Sequence, residues 1–123
     1  MMNFISKNKM PELLSAATIV SSLFIDLPEM ENNSANKFFD GLAAGKPLML
    51  NYGGWQSKLI KKNNAGFNIP NDNPKKASDI INKYIFDKEK ITRMGICSKK
   101  LSHSFSIKKN FSILEKTLKS LKD

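Results

Sequence analysis

The residues best suited to chemistry lie between Asn33 and Pro47, where the sequence favours a short helix with a polar side near its N-terminus. In this segment Asn36, Lys37 and Asp40 are spaced three and four residues apart, so they share one face of a helix. The first N–H groups of a helix bind phosphate, and a carboxylate accepts hydrogen bonds from sugar hydroxyls. The segment is therefore a candidate site for a phosphorylated sugar compound.

The ends of this helix carry recognisable signals. Asn33 or Ser34 is expected to cap the free N–H groups at its start. Gly45 suits the left-handed position after the last turn, and Pro47 prevents continuation. We therefore predict a helix from about Ala35 to Ala44, with an apolar side made of Phe38, Phe39, Leu42 and Ala43.

The chain around this helix alternates between strand and helix patterns. Buried strands are predicted at 18–24, 47–51 and 66–69, and a short first strand at 3–6. Helices are predicted at 11–16 and 55–63, at 74–86 with Asn73 at its start, and through about Leu101 with Asp87 as its cap. Strands that alternate with helices form right-handed crossovers in a parallel sheet. The fold class is therefore α/β, with about four mainly parallel strands and a helical C-terminal segment.

A last helix is predicted after Ser104 or Ser106, and it is strongly amphipathic. Apolar residues recur along it at spacings of four and three, while most lysines fall outside the apolar stripe, which consists of Ile107, Phe111, Leu114, Leu118 and Leu121. Three coverings for this stripe stay open: its own domain, a second domain or a membrane surface. We divide the chain into a domain at 1–101 and this helix at 102–123.

Length and composition limit the function classes. With 123 residues, the chain is at most one small domain. The single cysteine, Cys97, excludes an internal disulfide framework. No signal peptide and no sufficiently long apolar run occur, so we expect a cytoplasmic protein, either free or peripheral at the inner membrane surface. No grouping of metal ligands is evident, so neither a metal site nor a cofactor is expected.

The positive charge is concentrated in the second half. Residues 1–57 contain four lysines and five acidic residues, whereas residues 58–123 contain sixteen basic and six acidic residues, a net charge of +10. Such a surface attracts anionic lipid headgroups, or it is a solvated lysine-rich face. RNA-binding signatures and interleaved aromatic residues are missing, so nucleic acid is not an expected partner.

The run from Asn33 to Pro47 resembles the donor-site helix of retaining family-four glycosyltransferases with the GT-B fold, which build bacterial surface polysaccharides. One subgroup of that family reads Asn-Ser-Pro-Asn-Lys-x-Phe-Asp-x-Leu-Ala-Ala-Gly-Lys-Pro, and this chain departs from it by Ala35 in place of proline. Asp40 stands where the wider family has the second glutamate of a Glu-x7-Glu element. The resemblance continues through 51–55, 59–60 and 65–67, and it covers roughly Phe4 to Leu101.

The resemblance implies a partial Rossmann-like domain, the C-terminal half of a GT-B enzyme, built as a three-layer sandwich. It implies that Asp40 accepts both ribose hydroxyls of a nucleotide-sugar, that Ser34 and Asn36 offer backbone N–H groups to its diphosphate, and that Lys37 adds a positive charge. The alternatives are an ion pair between Asp40 and Lys37, and plain helix capping by Ser34.

Three further residues complete the candidate site. Gly53 and Gly54 would allow a close approach of the donor at a strand end, or they form a simple tight turn. Glu31 is the catalytic candidate, although the family's first acidic position coincides with Asn32 here; its alternative is a surface loop acid.

The resemblance covers only the later part of the donor domain. We therefore interpret the chain as the C-terminal donor-binding fragment of a hexosyltransferase-type glycosyltransferase, inactive without the missing N-terminal acceptor domain. The alternative from another class is a non-catalytic module that binds a nucleotide or a partner protein.

Overall fold

A computed structural model of the protein describes residues 5–121. Within them, three parallel strands form a sheet in the order β1 (Val20–Ser22), β2 (Leu48–Leu50) and β3 (Gly66–Asn68). The register aligns Val20 with Leu48, and Leu48 with Gly66. The α/β class and the parallel sheet are confirmed, although each strand is shorter than predicted.

The prediction of a fourth strand at 3–6 is not supported. Asn3 and Phe4 lie outside the described residues, and Ile5 and Ser6 belong to no strand. The six α-helices of the described residues are α1 (Met10–Ala16), α2 (Asn36–Ala43), α3 (Gly54–Lys62), α4 (Pro74–Ile85), α5 (Lys88–Ser102) and α6 (Ile107–Ser120). Short 3₁₀ helices occupy Lys7–Lys9, Pro28–Asn32 and His103–Phe105.

Helices lie on both faces of the sheet. Helix α2 packs on the face that carries Val20 and Leu48, because a Cβ atom added to Gly41 would lie 3.1 Å from both side chains. Phe67 of β3 points to the opposite face, where its ring stacks on Tyr84 of α4 with 4.0 Å between centroids. The arrangement is compatible with a partial Rossmann-like sandwich.

Helix α2 ends as the sequence predicts. Gly45 has a φ angle of +67°, its N–H donates to the Leu42 carbonyl at 3.0 Å, and the Lys46 N–H donates to the Gly41 carbonyl at 3.0 Å. These bonds form a Schellman motif, which satisfies carbonyl groups of the last turn. Pro47 then leads directly into β2, and its carbonyl accepts from the Val20 N–H at 3.0 Å.

The start of α2 differs from the prediction. Ala35 occupies the N-cap position, and no side chain caps the helix. Ser34 lies one residue further out, so its hydroxyl is too early in the chain to reach the N–H groups that a cap satisfies. Capping by Asn33 or Ser34 is therefore wrong. The caps predicted at the other helices are confirmed, with side-chain bonds from Asn73 to α4, from Asp87 to α5 and from Ser106 to α6.

The core forms where α2 and α3 cover the sheet. Its fully buried apolar residues are Phe38, Leu42, Leu48, Leu50, Ile60 and Ala65. Ala43 was expected to belong to the apolar side of α2, but it is exposed, and Gly41 takes its place. The helical period explains the difference, because residue 41 lies about 60° around the helix from the buried Phe38, whereas residue 43 lies about 140° from it.

The first prediction concerns this core. Leu42 is fully buried, so Leu42→Ala should lower the free energy of unfolding by about 2 to 5 kcal/mol through lost contacts and a cavity. Leu23→Ala is the matched control, because Leu23 is 47% exposed and should lose much less. Urea titration followed by circular dichroism measures both. Equal losses in the two variants would contradict the packing of α2 on the sheet.

Candidate functional site

The starts of α2 and α3 lie at the carboxyl edge of the sheet. In a parallel sheet all strands end at the same edge, and the helix after each strand begins there. Helix α2 follows β1 and α3 follows β2, so the starts of both helices are on this side. This edge is also where open α/β sheets bind ligands.

The polar side of α2 faces solvent. Asn36, Lys37 and Asp40 are all exposed, as is Ser34 immediately before the helix. Within residues 5–121, the ion pairs join Glu89 to Arg93 and Glu115 to Lys119. The alternative pairing of Asp40 with Lys37 is therefore not formed, and the Asp40 carboxylate is available to a ligand.

Asp40 lines two grooves on the outside of α2. The first, of about 510 Å³, lies between α1, α2 and the end of α5, and it includes Lys7 and Lys99. Lys99 Nζ donates to the Ala43 carbonyl at 2.6 Å, which anchors this cation beside the last turn of α2. The second groove, of about 460 Å³, extends toward Phe105 and the start of α6. Asp40 thus has cationic side chains in its surroundings, which favour an anionic ligand nearby.

The two glycines lie against Glu31. Gly54 has a φ of +76°, and a Cβ atom there would overlap the backbone carbonyl of Glu31. A Cβ on Gly53 would lie 2.6 Å from Glu31 Oε1. The close approach at these glycines is made by the chain's own 3₁₀ helix Pro28–Asn32, and an approach of the donor to them stays a prediction. The 3₁₀ helix brings the Glu31 carboxylate to the start of α3, where the helix dipole favours negative charge.

The structure thus distributes the candidates over two places. Asn36, Lys37 and Asp40 share the exposed side of α2, whereas Glu31, Gly53 and Gly54 meet at the start of α3. Neither groove that Asp40 lines includes a member of the second group. The sequence interpretation treated them as one set.

Sequence reasoning missed a polar network that ties the three strand ends together. The Asn51 side chain links the ends of β2 and β1. Its Oδ1 accepts from the Phe24 N–H at 2.9 Å, and its Nδ2 donates to the Phe24 carbonyl at 2.8 Å. Asn68 donates to the Tyr52 carbonyl at 2.7 Å and accepts from the Ser57 hydroxyl at 2.9 Å. The signal was present in the sequence, because an asparagine stands at the end of both strands.

Tyr52 is the buried centre of this network. Its hydroxyl lies 2.6 Å from Gln56 Oε1 and 3.2 Å from the Ser22 Oγ. Burial raises the pKa of Tyr52 above its ordinary value of 10.0, and the hydrogen bond with Ser22 partly offsets the rise. Gln56 is fully buried, and its Nε2 has no hydrogen-bond partner among the described residues.

Trp55 of α3 belongs to an aromatic cluster beside the candidate site. Its ring contacts Phe38 and Phe39 of α2 and Phe105 of the last 3₁₀ helix, at centroid distances of 5.8, 6.3 and 6.4 Å. The aromatic cluster joins α2, α3 and the segment before α6. Trp55 therefore stabilises the region beside the candidate site from outside the sheet.

Residues 5–121 form neither a cluster of metal ligands nor a membrane-spanning helix. No group of three or more His, Cys, Asp or Glu side chains is arranged to hold a metal ion. No helix is both long and apolar enough to cross a membrane.

Comparisons with known proteins give no assignment. Neither the models of protein families, nor the curated proteins, nor the solved structures contain a match to this chain.

The second prediction follows from Tyr52. Its folded-state pKa is above the unfolded value near 10, so the folded protein favours the neutral phenol. The contribution of Tyr52 to stability is therefore complete below pH 10 and is lost as the pH rises through the folded-state pKa. Tyr52→Phe should lower the free energy of unfolding by about 1 to 3 kcal/mol at pH 7, because Ser22 and Gln56 lose a buried partner.

The difference between wild type and Tyr52→Phe should shrink in melts above pH 10. Tyr84→Phe serves as a tyrosine control at pH 7, because its hydroxyl forms no hydrogen bond with the described residues. A pH-independent difference would contradict the burial of a neutral Tyr52 hydroxyl.

Proposed function

We propose that this chain is the C-terminal donor-binding part of a GT-B glycosyltransferase, which holds a nucleotide-sugar for transfer of a hexosyl group in surface polysaccharide synthesis in the cytoplasm. The observation that carries the proposal is the exposed Asn36, Lys37 and Asp40 side of α2. This helix lies between adjacent parallel strands and ends in the Schellman motif that the Ala44-Gly45-Lys46 sequence specifies. The same segment carries the resemblance to family-four enzymes.

The start of α2 is suited to phosphate. Because no side chain caps this helix, no capping group competes with a ligand for its first N–H groups. In the proposed complex, the backbone near Ser34 and Asn36 holds the diphosphate, and Lys37 adds a positive charge. Asp40, one turn later on the same face, accepts the ribose hydroxyls. These groups would orient the donor and stabilise the departing diphosphate without covalent chemistry.

The sheet supports the fragment interpretation. Among the described residues β1 pairs with β2 alone, so its other edge has no strand partner. Ser21 and Leu23, which point away from the face that α2 covers, are exposed. Parallel sheets are normally covered on both faces. The unpaired edge of β1 and this exposed face fit a donor-binding domain that is completed by another polypeptide segment. The acceptor-binding domain would be a second partner.

One observation favours a non-catalytic module that binds a nucleotide or a partner protein. Glu31 lies against Gly53 and Gly54, so a carboxylate already stands at the start of α3. This carboxylate would repel a diphosphate that approached the start of α3. In this alternative α2 binds the ligand, and Glu31 has only a structural role.

The third prediction tests Asp40. Calorimetric titration of the chain with UDP and with GDP should show binding of at least one of them. Asp40→Ala should weaken that binding by about tenfold or more, because two charge-assisted hydrogen bonds of about 1.5 to 3 kcal/mol each are lost, with partial compensation by water. Folding should be unaffected, because Asp40 is exposed.

Asp79→Ala is the control for loss of one negative charge, because Asp79 is an exposed acid on α4. It should bind nucleotide as the wild type does. Unchanged affinity in a folded Asp40→Ala protein would remove the ribose assignment.

The fourth prediction concerns turnover. The chain alone should release no nucleoside diphosphate above background from a nucleotide-sugar and lipid-linked acceptors, because the acceptor half is needed to position the reactants. Addition of a separately produced N-terminal partner should restore release. Substantial turnover by the chain alone would contradict the fragment interpretation, even if nucleotide binding were found.

A further inference from the structure

Helix α6 presents an uncovered apolar stripe. Its members are exposed by 53% to 87%, and they are Ile107, Phe111, Leu114 and Leu118, with Leu121 immediately after the helix at 77%. No residue of α6 is buried. Of the three coverings considered from the sequence, packing on the described part of its own domain is therefore wrong.

The stripe is narrow and regular. At 100° per residue, its five positions fall within an arc of about 80°. Ile113 is apolar and 55% exposed, but it lies outside this arc. The Ser106 hydroxyl caps the helix by accepting from the Lys109 N–H at 3.3 Å. The residues of this segment thus determine where the helix starts, and its apolar side chains form one continuous stripe.

The rest of α6 is cationic. It carries four lysines and a single acidic residue, Glu115, which is already paired with Lys119 at 2.8 Å. Lys108, Lys109, Lys116 and Lys119 lie between about 100° and 200° from Ile107, on the side opposite the stripe. The helix therefore combines a narrow apolar face with a net positive polar face.

We propose that α6 binds the surface of an anionic lipid bilayer. The helix would lie in the interface, with its stripe at the acyl boundary and its lysines among the anionic headgroups. Its 14 residues span about 21 Å, less than the roughly 30 Å of a bilayer core, so it lies on the membrane and does not cross it. This binding does not depend on the proposed recognition of a nucleotide-sugar.

Charge favours a bilayer over a second copy of the chain or nucleic acid. In a dimer formed through α6, two helices of net positive charge would come together, which is unfavourable. Each copy would also bring the net charge of +10 that residues 58–123 carry as a whole. Nucleic acid would satisfy the lysines but leave the apolar stripe in water. An anionic bilayer would neutralise the lysines and also remove the apolar stripe from water.

The full 123-residue chain should float with vesicles made of equal parts of phosphatidylcholine and phosphatidylglycerol. Partitioning into pure phosphatidylcholine vesicles should be weaker by at least about tenfold, because each lysine near an anionic surface adds to the affinity. Binding to the mixed vesicles should fall as the salt concentration increases from 50 mM to 500 mM, by screening.

Two substitutions test the stripe itself. Leu114→Gln combined with Leu118→Gln should reduce partitioning by about tenfold or more, because two leucine side chains no longer leave water. Ile113→Gln is the matched control, because Ile113 and Leu114 are both 55% exposed and differ in their position around the helix. It should bind as the wild type does. Circular dichroism of each variant checks that helix content is retained.

Several results would overturn the proposal. They are failure of the wild type to float with the mixed vesicles, equal losses in the control and the double variant, or binding that salt does not weaken. Light scattering could instead show that the wild type is a dimer and the double variant a monomer, with neither protein binding vesicles. That result would identify a second copy of the chain as the occupant of the stripe. Retained flotation of the double variant would also count against the stripe.

Discussion

Helix α2 packs so closely on the sheet that its orientation is fixed. Gly41 lets the helix approach Val20 and Leu48, and Phe38 and Leu42 fill the space on either side. A fixed buried side also fixes the exposed side, because helical geometry leaves no freedom to rotate one without the other. The exposure of Asn36, Lys37 and Asp40 is a direct consequence of this packing.

The carboxyl edge of the sheet is held by polar contacts. Asn51 links the ends of β1 and β2, and Asn68 links β3 to the start of α3. The Tyr52 hydroxyl closes the network inside the core. These bonds are 2.6 to 3.2 Å long and partly or fully buried, which makes their loss costly. The start of α3 is therefore tied to the ends of the strands.

Local signals in the sequence were sufficient for most of the fold. Gly45 and Pro47 defined the end of α2, and Asn73, Asp87 and Ser106 defined three helix starts, because capping depends on residues close in sequence. The fold class followed from the alternation of strands and helices.

The features that the sequence did not predict have two causes. Some depend on contacts between segments that are distant in the chain, and one depends on a shift of a single position. Ser34 stands one residue before the real N-cap, which propensity cannot resolve. Trp55 packs on aromatic residues that are 17 and 50 positions away, at Phe38 and Phe105. The approach of Glu31 to Gly53 and Gly54 likewise joins elements separated by a strand and a helix.

We propose that the exposed side of α2 binds a nucleotide-sugar, and NMR of the ¹⁵N-labelled chain during titration with UDP-glucose and GDP-mannose tests this binding. At least one of the two should shift the amide signals of Asn36, Lys37 and Asp40 in a saturable way, while those of α4 remain unchanged. Saturable shifts confined to α4 and α5, or no shifts with either nucleotide-sugar, would contradict this proposal.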